Sequence, residues 1–143
     1  SPSYDPASGW LYVMYHDGAQ RYVREKSTYE PGKGYWGGRA LPAGDPPRAG
    51  IKAIDTATGE IKWDHQLTRG SLAAGVLATK TGLLFSATSE GNLIALDAAT
   101  GKYLWRMQTG AGTASSPISY SVNERQYIAV ASGMVLYSLA LAE

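Results

Sequence analysis

Few side chains in this sequence are equipped for chemistry. His16 and His65 are the two whose ordinary pKa, about 6.5, lies near neutrality. His16, beside Asp17, is placed to hydrogen-bond a polar ligand atom or to shuttle a proton; the competing reading is a strand-end residue. His65 stands two positions after Trp63 with no companion ligand, so no metal site is assigned to the pair. Ala74 and Gly75 would let backbone approach a flat ligand closely, although small residues also serve strand packing. Asp55 and Asp97 precede Thr-Gly turns and are read as turn formers, not as catalytic acids. There is no G-x-S-x-G, P-loop or Rossmann glycine pattern. With no cysteine, the chain can build no disulfide, no cysteine-ligated zinc site and no c-type haem attachment.

These residues sit on a repeat. Shifting the chain by 42 positions lays Ile51–Asn92 over Leu93–Met134 and matches ten positions. The densest agreement is between A-I-D-T-A-T-G-E-I-K-W, Ala53 to Trp63, and A-L-D-A-A-T-G-K-Y-L-W, Ala95 to Trp105. A period of about 40 to 45 residues suits four-stranded propeller blades, although helical repeats overlap that range. Short β-rich runs bounded by Gly or Thr-Gly turns decide for strands. In each copy the aspartate can cap a turn, glycine supplies positive φ, and the following strand carries the tryptophan.

Composition agrees. The chain has 143 residues, 44% apolar and 17% charged, with 17 glycines, 10 tyrosines and 4 tryptophans against one phenylalanine. That is enough apolar content for a core, and it favours many short strands. The formal charge of +1, without a block of like charge, argues against an electrostatic nucleic-acid surface. No apolar run reaches the roughly 20 residues of a membrane helix, and the N-terminal segment has no signal-peptide pattern. The chain reads as if cut from a longer one.

The Ala, Gly and Trp at positions 1, 7 and 11 of the repeated segment resemble the tryptophan-docking motif of PQQ-dependent (quinoprotein) alcohol and methanol dehydrogenases. The resemblance implies that each Trp wedges between its own Ala and the peptide at the Gly of the neighbouring blade, giving docking sets Ala53, Gly59, Trp63 and Ala95, Gly101, Trp105. Ser3 to Val13, followed by Tyr29 to Gly38, is similar to the corresponding insertion in PQQ alcohol dehydrogenases. By the same resemblance, His16 stands where an asparagine commonly lies near the quinone. Leu72 to Phe85 is similar to the opening of the penultimate blade, with Ala73 in the slot of a tryptophan that stacks beneath the cofactor. The implied cofactor-binding residues are His16, Ala73, Ala74 and Gly75. The family's catalytic aspartate and its calcium or lanthanide ligands come from upstream blades and have no counterpart here, so the chain alone is expected to be inactive.

The expected fold is all-β: a partial β-propeller of four-stranded antiparallel blades, about three, the last lacking its outer strand. The first blade covers residues 1–70 with a long insertion at 17–49, the second 71–112 and the incomplete third 113–143. Strands are expected at Ser3–Pro6, Trp10–Tyr15, Ile51–Asp55, Ile61–Gln66, Leu72–Thr79, Leu83–Thr88, Asn92–Asp97, Tyr103–Gln108, Ser116–Ser121, Gln126–Ala131 and Met134–Ala140. The last would be an unpaired edge, completed in the family by an N-terminal strand. The expected partner is therefore the rest of the propeller, or a second copy meeting it through exposed blade edges. The function implied is the C-terminal segment of a PQQ-dependent oxidoreductase acting on a small alcohol in the periplasm. The alternative is a non-catalytic PQQ-like propeller that serves as a protein-interaction scaffold. The aromatic insertion favours the first, His16 and Ala73 the second.

Overall fold

A computed structural model describes residues 1–26, 28–67 and 74–141. Among the described residues it contains eleven strands and no helix. They are β1 (Ser3–Asp5), β2 (Trp10–Arg24), β3 (Gly38–Asp55), β4 (Ile61–Gln66), β5 (Leu77–Ala78), β6 (Leu83–Ala87), β7 (Asn92–Asp97), β8 (Tyr103–Gln108), β9 (Ile118–Val122), β10 (Arg125–Ser132) and β11 (Val135–Leu139). They form three antiparallel meanders, ordered β1-β2-β3-β4, β5-β6-β7-β8 and β11-β10-β9. Two blades have four strands and the third has three, as the repeat predicts.

Turn chemistry explains where the strands stop. In the first blade Asp55 accepts the Ala57 N–H at 2.9 Å through its carboxylate, while its carbonyl accepts the Gly59 N–H at 2.8 Å. In the second, the Asp97 carboxylate accepts the Thr100 hydroxyl at 2.6 Å and N–H at 2.8 Å, and its carbonyl accepts the Gly101 N–H at 2.8 Å. Gly59 and Gly101 have φ of 76° and 69°, the left-handed region where a Cβ is penalised. Asp5 repeats the device with Gly9: Ala7 N–H donates to its carboxylate at 3.0 Å and Gly9 N–H to its carbonyl at 2.9 Å. That third copy lies outside the 42-residue register and was not visible in it.

The core follows the strand faces. Tyr12, Ile51, Ala53, Val76, Leu84, Ile94, Leu96 and Ala98 form one buried cluster joining the first two sheets, with Trp10, Met14 and Trp63 packed on it. A smaller one joins the second and third sheets through Ala74, Ala87, Leu93 and Val130. Along β7 every residue from Leu93 to Leu96 is buried, without alternation, which marks a strand covered on both faces.

The insertion is a paired ribbon: β2 and β3 continue through it as a long antiparallel hairpin, and Asp17–Arg48 forms a compact unit distinct from Ser1–His16 with Ala49–Glu143. Residues Asp17 to Arg24 and Gly38 to Ala49 lack the apolar alternation of a half-buried strand because most are exposed. Pro42, Pro46 and Pro47 are tolerated in β3 because a two-stranded ribbon leaves each strand one edge without a ladder partner. The first strand of the second blade is also shorter than expected, Leu77–Ala78; Leu72 and Ala73 lie outside the described residues.

Candidate functional site

Of the residues expected to face a ligand, Ala74 and Gly75 lie on the approach to β5, the first strand of the second blade. β1, β5 and β9 are edge strands of their sheets, and their N-terminal approaches converge. Val76 N–H donates to the Ser1 carbonyl at 2.9 Å and Ala78 N–H to Ser3 Oγ at 3.1 Å, so β5 follows the chain start. From the third blade, Ser116 Oγ accepts the Gly75 N–H at 3.0 Å and lies 3.1 Å from Ser1 Oγ. The Gly75 carbonyl accepts the Ser86 hydroxyl at 3.1 Å. A Cβ at Gly75 would stand 2.7 Å from Ser1 Oγ and closer still to Ser116 Oγ, so only glycine fits where the three approaches meet.

This geometry tests the fit of a cofactor. Ala74 is wholly buried in the second apolar cluster, and both peptide groups of Gly75 are bonded within the chain. Neither presents a free face to a flat ligand. His16 is exposed on β2, whereas Ala73 lies outside the described residues. No hydrogen bond among the described residues joins His16 to Ala74 or Gly75. These residues therefore do not by themselves make a receptacle for PQQ. His65 stacks on Tyr103, ring centroids 6.2 Å apart, and among the described residues no three His, Cys, Asp or Glu side chains gather to hold a metal.

The repeated tryptophans carry a clearer geometry. Ala53 is the direct cross-strand partner of Trp63 and Ala95 of Trp105, and in both ladders a bulge follows that alanine. The Trp63 indole crosses to the second blade, where Nε1 donates to the Ala98 carbonyl at 3.0 Å. A Cβ at Gly101 would come within 2.6 Å of its Cε3, so the ring rests on bare backbone. Tyr12 stacks on the same indole at 5.8 Å, and burial pushes the Tyr12 phenol above its ordinary pKa. Trp105 has no such cover. It lines an apolar cleft of about 270 Å³ with Phe85, Leu104, Leu139, Ala140 and Leu141, and Glu143, the repeat counterpart of Gly101, lies outside the described residues. Sequence reading missed Ser1, Ser86 and Ser116, since isolated serines carry no spacing signal.

Three antiparallel blades, the first two joined by an indole across their seam, define a β-propeller sector, and comparison with known proteins agrees. The family described as "Glucose/ethanol/alcohol dehydrogenase, beta-propeller domain" matches residues 13–128. The chain belongs to this family. It is 37% identical over 133 residues to the quinoprotein alcohol dehydrogenase PedE of Pseudomonas putida, a match covering 92% of this chain and 21% of that protein. It is 31% identical to the lanthanide-dependent methanol dehydrogenase of Methylorubrum extorquens, covering 92% of this chain and 22% of that protein. Among solved structures, a europium-containing methanol dehydrogenase superposes with a TM-score of 0.79 at 28% identity, over 92% of this chain and 24% of that one. The chain thus spans about a fifth of the length of the relatives it matches.

Proposed function

We propose that the chain is the C-terminal segment of a PQQ-dependent alcohol dehydrogenase-like oxidoreductase, to which it contributes propeller structure and part of the wall around the cofactor. The observation that carries this reading is the identity of 37% with a quinoprotein alcohol dehydrogenase across 92% of the chain. Trp63 on Gly101 supports a tryptophan-docking role for the repeated segments, Ala53-Gly59-Trp63 and Ala95-Gly101-Trp105. When bound, PQQ with calcium or a lanthanide would accept the hydride equivalent from the alcohol; its metal ligands and catalytic acid lie outside this sector. This chain's share is positional. Ala74 and Gly75 shape the converging strand approaches from behind, and His16 is the exposed candidate for a contact with the quinone. The blade edge at β11 is the surface that would meet the rest of the propeller or a second copy. The compartment is the periplasm, as befits a quinoprotein dehydrogenase.

The test is a chimera in which this chain replaces the matched stretch of PedE. The expected result is a folded protein that reduces an artificial electron acceptor with a small alcohol, dependent on PQQ and on calcium or a lanthanide, with His16→Ala lowering kcat/KM. A folded chimera that binds no PQQ, with either metal present, would overturn the reading and leave a non-catalytic scaffold.

A further inference from the structure

The inner edge of the second blade is closed by groups from both of its neighbours. β5 has a ladder partner, β6, on one side only. On the other side of β5 and its approach, three donors are taken up by the first and third blades. Gly75 N–H goes to Ser116 Oγ at 3.0 Å, Val76 N–H to the Ser1 carbonyl at 2.9 Å and Ala78 N–H to Ser3 Oγ at 3.1 Å. An edge strand left bare would present those groups unpaired. Gly75 and Val76 are buried by this chain's own residues, so these ties lie inside the sector whatever covers its outside.

Ser116 stands at the centre. Its Oγ accepts the Gly75 N–H and lies 3.1 Å from Ser1 Oγ, so one hydroxyl serves two blades at once. Pro117, buried directly after it, narrows the backbone choices of Ser116 to the extended region. A Cβ on Gly75 would stand 2.7 Å from Ser1 Oγ and 2.8 Å from Ser116 Cβ, so the space left by the missing side chain is where the two serines meet. The Ser86 hydroxyl donates to the Gly75 carbonyl at 3.1 Å, which holds the peptide from its own blade.

We infer that Ser1, Gly75 and Ser116 form a lock that couples the first blade to the third, although the second lies between them in the chain. Groups that share partners in one hydrogen-bond network depart from additivity, whereas separate ties do not. A loss at Ser116 therefore reaches the bond between Val76 and Ser1, and a loss at Ser1 reaches the bond between Gly75 and Ser116. The inner edge of the second blade is fully protected only with both neighbours docked. The inference is independent of the proposed dehydrogenase function.

Amide hydrogen exchange in the 143-residue chain decides it, followed by NMR at Gly75 and Val76 and referred to the amides of β7, in Ser116→Ala, Ser1→Ala and the double variant. The expected result is exchange about tenfold faster at both amides in each single variant, with the double variant no faster than the faster single one. Ser1→Ala keeps the carbonyl that holds Val76, so its effect there reports coupling and not a deleted acceptor. Ser1 is exposed, so that variant keeps the test decisive should Ser116→Ala unfold. Ser119→Ala, which removes a β9 hydroxyl that accepts from Gln126 at 2.7 Å, should leave both amides unchanged. Effects that multiply in the double variant, a Ser116→Ala change confined to Gly75, or exchange that rises equally throughout β7 would each overturn the inference.

Discussion

Trp63 donates its indole N–H to the carbonyl of Ala98, 3.0 Å away in the next blade, and lays its ring on the Gly101 peptide. One side chain thus supplies both a hydrogen bond and an apolar contact across a seam between two sheets. Its repeat partner Trp105 is 44% exposed, so the same motif is satisfied in one place and open in the other.

The two Thr-Gly turns separate backbone strain from contact. Gly101→Ala adds a Cβ at positive φ and drives it into Trp63, whereas at Gly59 nothing stands within 4 Å. Gly59→Ala should cost about 1 kcal/mol and Gly101→Ala about 3 kcal/mol, read as the shift in urea midpoint at constant slope. Equal losses would show that the ring does not rest on Gly101.

The tryptophans should respond unequally for the same reason. Trp63→Phe removes the bond to Ala98 and part of the buried ring, an expected loss of about 2 kcal/mol. Trp105→Phe should cost less than about 1 kcal/mol in this chain. Denaturant titration of the two variants side by side measures the difference.

Acid should weaken the turns. Asp97 is held below the ordinary carboxylate pKa by the Thr100 hydroxyl and backbone N–H, and Asp5 and Asp55 are lowered by their own turn donors. A depressed native pKa contributes stability above the unfolded value, near 3.9, and that contribution disappears as pH falls through the lower native value. Stability should therefore drop as pH falls from about 5 to below 4, and Asp97→Asn should flatten part of that slope. Circular dichroism during acid titration checks the sign; a rise in stability on acidification would refute it.

The β9–β10 hairpin turns through Asn123 and Glu124, both at positive φ, 50° and 65°. Glycine would adopt the second position without the Cβ penalty. Glu124→Gly should stabilise the chain by about 0.5 to 1 kcal/mol, visible as a higher denaturant midpoint.

What the sequence made readable was local. Ala53 to Trp63 and Ala95 to Trp105 combine a carboxylate cap, a left-handed glycine and a cross-strand indole, each dictated by neighbours within eleven residues, and the strands around them fell where the repeat placed them. The hairpin was hidden because its strands bury little and so lack a period. The meeting of Ser1, Gly75 and Ser116 was hidden for a different reason: it joins three blades, and none of those residues advertises a distant partner. Ala74 and Gly75 were legible as small residues, but only packing shows that one is enclosed and the other bonded on both sides.

The two seams between blades are held by different forces. Between the first and second, a large apolar cluster is supplemented by the Trp63 bond. Between the second and third, the cluster is smaller and hydroxyls do more: Thr109 Oγ1 lies 2.7 Å from Ser132 Oγ, Ser132 Oγ donates to the Ala111 carbonyl at 2.6 Å, and the Tyr137 hydroxyl donates to the Thr109 carbonyl at 2.6 Å. Apolar association weakens on cooling. Chilling the chain therefore withdraws more apolar contact energy from the first seam than from the second, whose hydroxyl bonds do not depend on it.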